Sequence, residues 1–593
     1  MTRVVAIIQA RMGSSRLPGK VLMPIAGKSV LWHIIHRLRK CTTLDAIAVA
    51  TSTAPADDPI VAFAGTEHIE CVRGPEDNVL ERYVIAADRL KADIIVRVTG
   101  DAPLIDPPTI DLMVRTLQET GADFCAGEPG VPCIHEGFDP FSAAALKRIM
   151  EEGSGDPAAR EHVIAYFRKH PERFTRCTIP IAPDHQFSGA RISVDTPADF
   201  FFLEQVYARL QVPAGEAVLG DAVRLLRAEP SLLAINAHVH QKGADEKSLR
   251  ILMRCDGDER IGLGHVYRCL ALADELRNAH GCGVSFAMAS GTAGIDLVKR
   301  SYYPVDQKPD DAGEDAWLGE VIRRLHPCAL VLDVRSGLSR TALQEWRSDG
   351  ILCATIDDPS DRRLSTDLAF YPPVPQVKRM DWAGFTGMLH IGWEWVLLRR
   401  EFACEPGQDL DPDIRSKTRP TILVTMGGSD PAGMTLKAVK ALDLLDKDFD
   451  AVVMVGAAFR QDRALGSLLS GAHRHFDVQR NVTNVPALMA RADLAIASFG
   501  VTAYELAAMG VPAIHLCLTP DHAESASSFV DAGIAVCMGL FEDVSVEDLA
   551  AEVRAALENL SGVARMADRG RKLVDGRGAV RIAQELTGGL NGA

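Results

Sequence analysis

Short runs of Val, Ile, Leu and Ala recur along the chain, separated by stretches in which apolar residues return every three to four positions. The clearest runs are 4–10, 94–98, 329–334, 421–426, 451–456 and 494–498, and most are apolar on both faces. A strand that is apolar on both faces must be covered on both, so the pattern predicts parallel strands between helices and an α/β fold. It also starts twice. The chain opens with "RVVAIIQARMGSSRLPGKVL", and the order of strand, glycine loop and helix returns in "LRILMRCDGDERIGLGHVYRCLALADEL", residues 249–276. There Val266, Cys269, Leu270, Ala273 and Leu276 share one helical face.

Two polar breaks divide the pattern. "HVHQKGADEKS" (238–248) precedes the second beginning, and the charged stretch 404–420 contains three prolines. The division expected is 1–240, 249–403 and 418–585, with the last two regions as two sheets facing one cleft. The closing "TGGLNGA" reads as a frayed tail.

At 593 residues the chain exceeds one hydrophobic core and suits roughly four domain-sized units. Its net charge of −15 argues against general nucleic-acid binding, which needs a basic surface. Small anionic ligands held by local groups remain compatible with that charge. Thirteen cysteines without a CxxC pair point to a reducing compartment. No apolar run reaches the ~18 residues that span a bilayer, so membrane insertion is not expected. Gln9, Arg11 and Arg16 interrupt the opening run, which reads as a buried strand and not a secretory signal. A cytoplasmic protein is the expectation.

Candidate chemistry gathers where strands end. In "QARMGSSRLPGK" (9–20), Gly13, Ser14 and Ser15 bring backbone N–H groups toward phosphate oxygens, while Arg11, Arg16 and Lys20 add positive charge. A triphosphate needs both as pyrophosphate departs. Asp101 follows the run "IIVRVTG" and Asp195 stands in "RISVDTPADF", each just past a strand, at the edge where open α/β sheets bind ligands. Alone, either aspartate reads as a turn former or helix cap. Behind a phosphate loop they form a candidate pair for Mg²⁺, which takes one or two carboxylates plus substrate phosphates.

Through "IIQARMGSSRLPGKVL", "RVTGDAPLID", "EGFDPFS", "REHV" and "ISVDTPADF", residues 1 to about 210 resemble the spore-coat polysaccharide cytidylyltransferase-like family, relatives of the acylneuraminate and ketodeoxyoctonate cytidylyltransferases. The resemblance implies a Rossmann-like nucleotidyltransferase domain that transfers CMP from CTP to a sugar acid. It implies that Arg11, Ser14, Arg16 and Lys20 hold the nucleotide, that Asp101 and Asp195 hold Mg²⁺, and that Asp139 with Arg160, Glu161 and His162 lies near the acceptor. The longer Lys-containing opening of the acylneuraminate branch is absent, so the acceptor sugar stays open.

In the second half, Gly262 and Gly264 let the backbone turn tightly before His265, which opens a helix. A helix N-terminus disfavours imidazolium, which suits His265 to act as a base. "TILVTMGGSDPAG" supplies Gly427, Gly428, Ser429 and Asp430 after a strand, a loop suited to a diphosphate. In "ADLAIASFGVTAYELAAMGVP" a helix runs to about Met509 and stops at Gly510, with Glu505 in its early turns as a carboxylate for ribose hydroxyls. Together with "ATIDDP" and "LLRREF", these motifs resemble the UDP-sugar hydrolase of pseudaminic acid synthesis. That likeness implies a two-domain, GT-B-like nucleotide-sugar-binding unit hydrolysing a UDP-linked diacetamido-trideoxy hexose. It implies roles for Asp256 and His265 in catalysis, Ser429 and Asp430 at the diphosphate and Glu505 at the ribose, with no cofactor. Arg335, Trp393, Trp395, Asp521 and His522 depart from the family pattern where sugar contacts are expected.

The two likenesses combine into a bifunctional enzyme of nonulosonic sugar biosynthesis whose partners are CTP, a sugar acid and a UDP-sugar. A UDP-sugar glycosyltransferase or a silent nucleotide-sugar-binding module is the alternative for the second half. Homo-oligomerisation stays open.

Overall fold

The computed structural model describes every residue except 1, 135–136, 242–248, 258–261, 290–292, 336, 404–418, 429, 457, 483 and 592–593. Most of both polar breaks therefore lies outside the described residues. The chain forms two compact units. One is Met1–Leu249 with Arg277–Gly283 and Ser301–Tyr303; the other is Arg250–Leu276, Val284–Arg300 and Pro304–Ala593.

The first unit carries a seven-stranded sheet in the order Glu70–Gly74, Ala46–Ser52, Val4–Gln9, Ile94–Thr99, Phe138–Ser142, Phe124–Gly127, Arg176–Ile179. Period-two alternation sends Val5, Ile7 and Ile95 to one face, against Leu80, Tyr83 and Ala87 of the helix Val79–Leu90. Ala6, Ile8 and Val96 face the other side, against Leu31, Ile34 and Ile35 of the helix Val30–Leu38. The first four strands run parallel as expected. The sheet as a whole is mixed, because Phe138–Ser142 lies antiparallel to both neighbours. The link 128–137 is too short for the crossover of a dozen or more residues that a parallel return requires.

The second unit contains two sheets whose neighbouring strands pair in parallel. The first runs Val305–Lys308, Gly283–Ala289, Arg250–Cys255, Ala329–Asp333, Leu352–Ile356, Leu368–Tyr371, Met388–Ile391. The second runs Phe476–Arg480, Asp450–Val455, Thr421–Thr425, Leu494–Ser498, Ala513–Cys517, Ala535–Leu540. The α/β class therefore holds throughout. The expected frayed tail does not form: a helix runs Gly578–Asn591. Its three glycines weaken helix propensity, but burial of Ala579, Ile582, Ala583 and Leu586 outweighs them. Among the described residues no helix is long and apolar enough to cross a membrane.

Candidate active sites

In the first unit, the ends of Val4–Gln9 and Ile94–Thr99 open into a cavity of about 1000 Å³. Gly19, at φ 74, takes the left-handed turn that doubles the loop back, and its N–H donates to the Met12 carbonyl at 2.9 Å. Lys20 follows, and its Nζ donates to Asp101 Oδ2 at 2.6 Å and Asp195 Oδ1 at 2.8 Å. The two carboxylate loops are tied together, since Val194 N–H donates to the Asp101 carbonyl at 2.8 Å. Asp195 is set by a capping box, Thr196 with Asp199, at the start of the helix Pro197–Leu210. Arg16 Nη2 stands 3.2 Å from Asp195 and Arg191 Nη2 donates to it at 2.8 Å. Burial pushes the Asp195 carboxyl up, but Lys20, Arg16 and Arg191 outweigh it and hold the group well below the usual carboxylate range. Burial opposes the Lys20 charge too, yet the two carboxylates raise its pKa.

The phosphate loop differs from its expected form. The Ser14 N–H is spent on the Met12 carbonyl at 2.9 Å, and Gly13 lies outside the cavity lining, whereas Arg11, Ser14, Arg16 and Lys20 border it. Cations, more than backbone donors, face the space. Asp139 borders it as well and accepts from Arg97 Nη1 at 2.8 Å. His162 lines the cavity; burial, aided by Arg97 and Arg11 against the pull of Glu161, lowers its pKa. Arg160 does not join them. Its Nε donates to the Ser154 carbonyl at 2.6 Å, because successive residues of the helix Pro157–Glu161 face different directions and Glu161 takes the cavity side. Arg97, Arg191 and Arg82, which also borders the cavity, were missed at the sequence level. The signal for Arg97 was present: a lone charge inside the apolar run "IIVRV" needs a partner.

In the second unit, His265 is the second residue of the helix Gly264–Asn278. Its Nδ1 lies 2.6 Å from Asp333 Oδ1, at the end of Ala329–Asp333. One turn further, Arg268 donates to the same carboxylate through Nη2 at 2.6 Å and Nε at 2.5 Å. Burial pushes the Asp333 carboxyl up, but Arg268 and His265 outweigh it and keep it ionised. An ionised carboxylate only accepts, so the 2.6 Å contact with Asp333 favours a proton on Nδ1 and leaves the Nε2 lone pair free, against the pull of Arg268 Nη2, which stands 3.0 Å from the same nitrogen. Neither Asp333 nor Arg268 was singled out from the sequence, although the i, i+3 spacing of His265 and Arg268 puts those two on one helical face.

Asp256 does not reach His265's ring nitrogens. Its carboxylate accepts from Ala289 N–H at 2.7 Å and pairs with Arg254 at 2.7 Å, bracing the loop. Asp430 is likewise engaged: 2% exposed, it accepts from the N–H groups of Met434 and Thr435 at 2.9 and 2.8 Å. Its carboxylate thus takes up the first two N–H groups of the helix Met434–Asp443 from three residues before the Gly433 N-cap. Gly427, at φ 75, and Gly428 are exposed, while Ser429 lies outside the described residues. Glu505 sits on the helix Val501–Ala508 with Arg399 Nη2 at 3.6 Å, and burial raises its pKa. This helix meets the histidine loop, since a Cβ at Gly264 would stand 3.6 Å from Val501. Arg335 is bonded to Asp357 through its carbonyl at 2.7 Å and its carboxylate at 2.9 Å. Trp393 packs on Tyr504 and Phe529, Trp395 on His390 and Phe370, and Asp521 accepts from Gln376 at 3.0 Å.

A strand-end cavity with cations and paired carboxylates defines the first unit as a nucleotide-transfer protein. The family described as Cytidylyltransferase matches residues 5–218. The spore coat polysaccharide biosynthesis protein SpsF of Bacillus subtilis is 32% identical over 216 residues, 35% of this chain and 88% of that protein. The chain belongs to the cytidylyltransferase family through this region. The 3-deoxy-manno-octulosonate cytidylyltransferase of Pelobacter propionicus is 27% identical over 32% of this chain and 69% of its own. Among solved structures, MurG of Acinetobacter baumannii is similar over 58% of this chain and 100% of its own, at 18% identity and a TM-score of 0.45.

Proposed function

We propose that the first unit transfers CMP from CTP to a sugar acid. The bridge from Lys20 to Asp101 and Asp195 carries this reading. A cation already stands between two carboxylates at the sheet edge, and Arg16 stands beside it. Lys20 and Arg16 are suited to take up phosphate charge as pyrophosphate leaves. Asp101 and Asp195 offer hard oxygens converging on one cation position, a donor set that fits Mg²⁺. Among the described residues no third His, Cys, Asp or Glu completes a cluster, so substrate phosphates would supply the other ligands. Bound there, the ion would neutralise and order the triphosphate. The relative whose substrate is a sugar acid supports the acceptor class. Mixing the intact protein with CTP, Mg²⁺ and a panel of 2-keto-3-deoxy sugar acids, including 3-deoxy-manno-octulosonate, should release pyrophosphate with at least one. Asp101→Asn should remove that release while leaving the melting temperature nearly unchanged.

We further propose that the second unit hydrolyses a UDP-linked diacetamido-trideoxy hexose, so that the whole chain serves nonulosonic sugar biosynthesis at two steps. The 2.6 Å bond from His265 to Asp333 carries this reading. With Nδ1 committed, Nε2 is the atom available to take a proton from an attacking water. Glu505 supplies a carboxylate for ribose hydroxyls. UDP release from such a sugar, lost in His265→Ala with UDP affinity retained, is the expected result. Release that requires an added acceptor would make this unit a glycosyltransferase, with the same base acting on a hydroxyl.

A further inference from the structure

Arg82 is the anomaly of the first unit. It lies in the first turns of the helix Val79–Leu90, is 2% exposed and borders the cavity. Its Nε and Nη1 nevertheless have no hydrogen-bond partner, and no carboxylate pairs with it among the described residues. Burial, reinforced by Arg11, works against its charge and outweighs the pull of Tyr83, Asp57 and Glu76. An unpaired buried guanidinium is costly to keep, which makes an absent anion the simplest physical reason for retaining it.

Two further groups bordering the same cavity are unsatisfied: Gln9 Oε1 and Arg97 Nε. Gln9 continues the alternation of Val5 and Ile7, and Arg97 that of Ile95, on the sheet face covered by the Arg82 helix. Arg97 keeps Asp139 on Nη1, so Arg82 is the guanidinium without a carboxylate on this face, and the free Arg97 Nε and the Gln9 acceptor lie on the same face. The loop side is different. There Lys20, Arg16 and Arg191 all stand against Asp195. Arg191 Nη1 also lacks a partner there, but its guanidinium has Asp195. Arg82 has no carboxylate at all among the described residues, and an anion carrying a hydroxyl would supply both the acceptor that Arg82 lacks and the donor that Gln9 Oε1 lacks. The cyclic form of a 2-keto sugar acid carries a carboxylate and a hydroxyl on one carbon.

We propose that Arg82, with Arg97 and Gln9, forms the seat of the acceptor's carboxylate and selects a sugar acid over a neutral sugar. This assignment rests on the cytidylyl-transfer reading above. The test uses the full chain, the best acid of the panel and that acid's methyl ester, with pyrophosphate release as the readout. Arg82→Gln should raise KM for the acid about tenfold or more with KM for CTP within about twofold. The wild type should prefer acid to ester by a similar factor, and the variant should lose most of that preference. Its melting temperature should stay level or rise, because a buried charge is removed. Arg82→Lys, which keeps the charge but not the fork, should fall between the two and stands in if Arg82→Gln does not fold. A rise in KM for CTP instead, or an unchanged preference for acid over ester in a folded variant, overturns the assignment. If the wild type turns over none of the acids, the cytidylyl-transfer reading falls first and this assignment with it.

Discussion

Asp333 shows how one residue sets the chemistry of another. It does not act on substrate; it fixes which nitrogen of His265 carries the proton. Asp333→Asn keeps the shape but can offer an amide N–H to Nδ1, which moves the proton to Nε2. The expected loss in UDP release is about 10³-fold, with UDP affinity within about threefold. A wild-type rate in that variant would detach His265 from the reaction. On the proposed UDP-sugar reading, Glu505 would bear on affinity instead. Its carboxyl is raised by burial, partly offset by Arg399, so ionisation is completed at a higher pH than for an exposed glutamate. UDP affinity should therefore weaken on the acid side, above the usual carboxylate range, and Glu505→Gln should flatten that dependence in calorimetric titrations.

At the scale of elements, the loops that face ligands are held by caps behind them. Asp430 takes a left-handed φ of 42° and ties the glycine loop to the helix Met434–Asp443 through two backbone N–H groups. Asp430→Ala should cost about 1–2 kcal/mol of stability, as loss of a helix cap does, measured by urea unfolding. On the UDP-sugar reading it should also weaken UDP binding, through disorder of Gly427 and Gly428. The tail helix makes a matching case. Its hold is apolar, so Ile582→Ala should cost about 2–4 kcal/mol, measured by urea unfolding.

At the scale of the molecule, each unit carries its own candidate site. Asp101→Asn should therefore leave UDP release intact, and His265→Ala should leave pyrophosphate release intact. Stability against pH has its own determinant in His515, which is fully buried among Phe499 and Phe529 with at most a weak backbone contact to Ala497. Burial drives its pKa from 6.5 to about 4. The unfolded chain takes up this proton first, so stability is full above pH 6.5 and falls as the pH drops toward 4. The slope is at most about 1.4 kcal/mol per pH unit, roughly 3 kcal/mol in all. Urea unfolding of the second unit between pH 7 and 4.5 should show this fall, and His515→Phe should remove much of it.

The alternating strand and helix patterns, the double beginning and the clustering of Arg11, Arg16 and Lys20 were local properties, and the sequence by itself determined them: the α/β class, two starts, a phosphate-seeking loop. Asp101 was also legible, since it lies just past the strand Ile94–Thr99. Asp195 was expected past a strand as well, but no strand forms over 186–196 and the capping box of Pro197–Leu210 sets it instead. Partnerships were not. Lys20 with Asp195, Arg97 with Asp139 and His265 with Asp333 join residues far apart in the chain, and only sheet order and register bring them together. The direction of Phe138–Ser142, the capping role of Asp430 and the outward turn of Arg160 were decided there too. Burial and hydrogen bonding depend on what the fold lays alongside a residue, and periodicity along the chain carries no record of that neighbour.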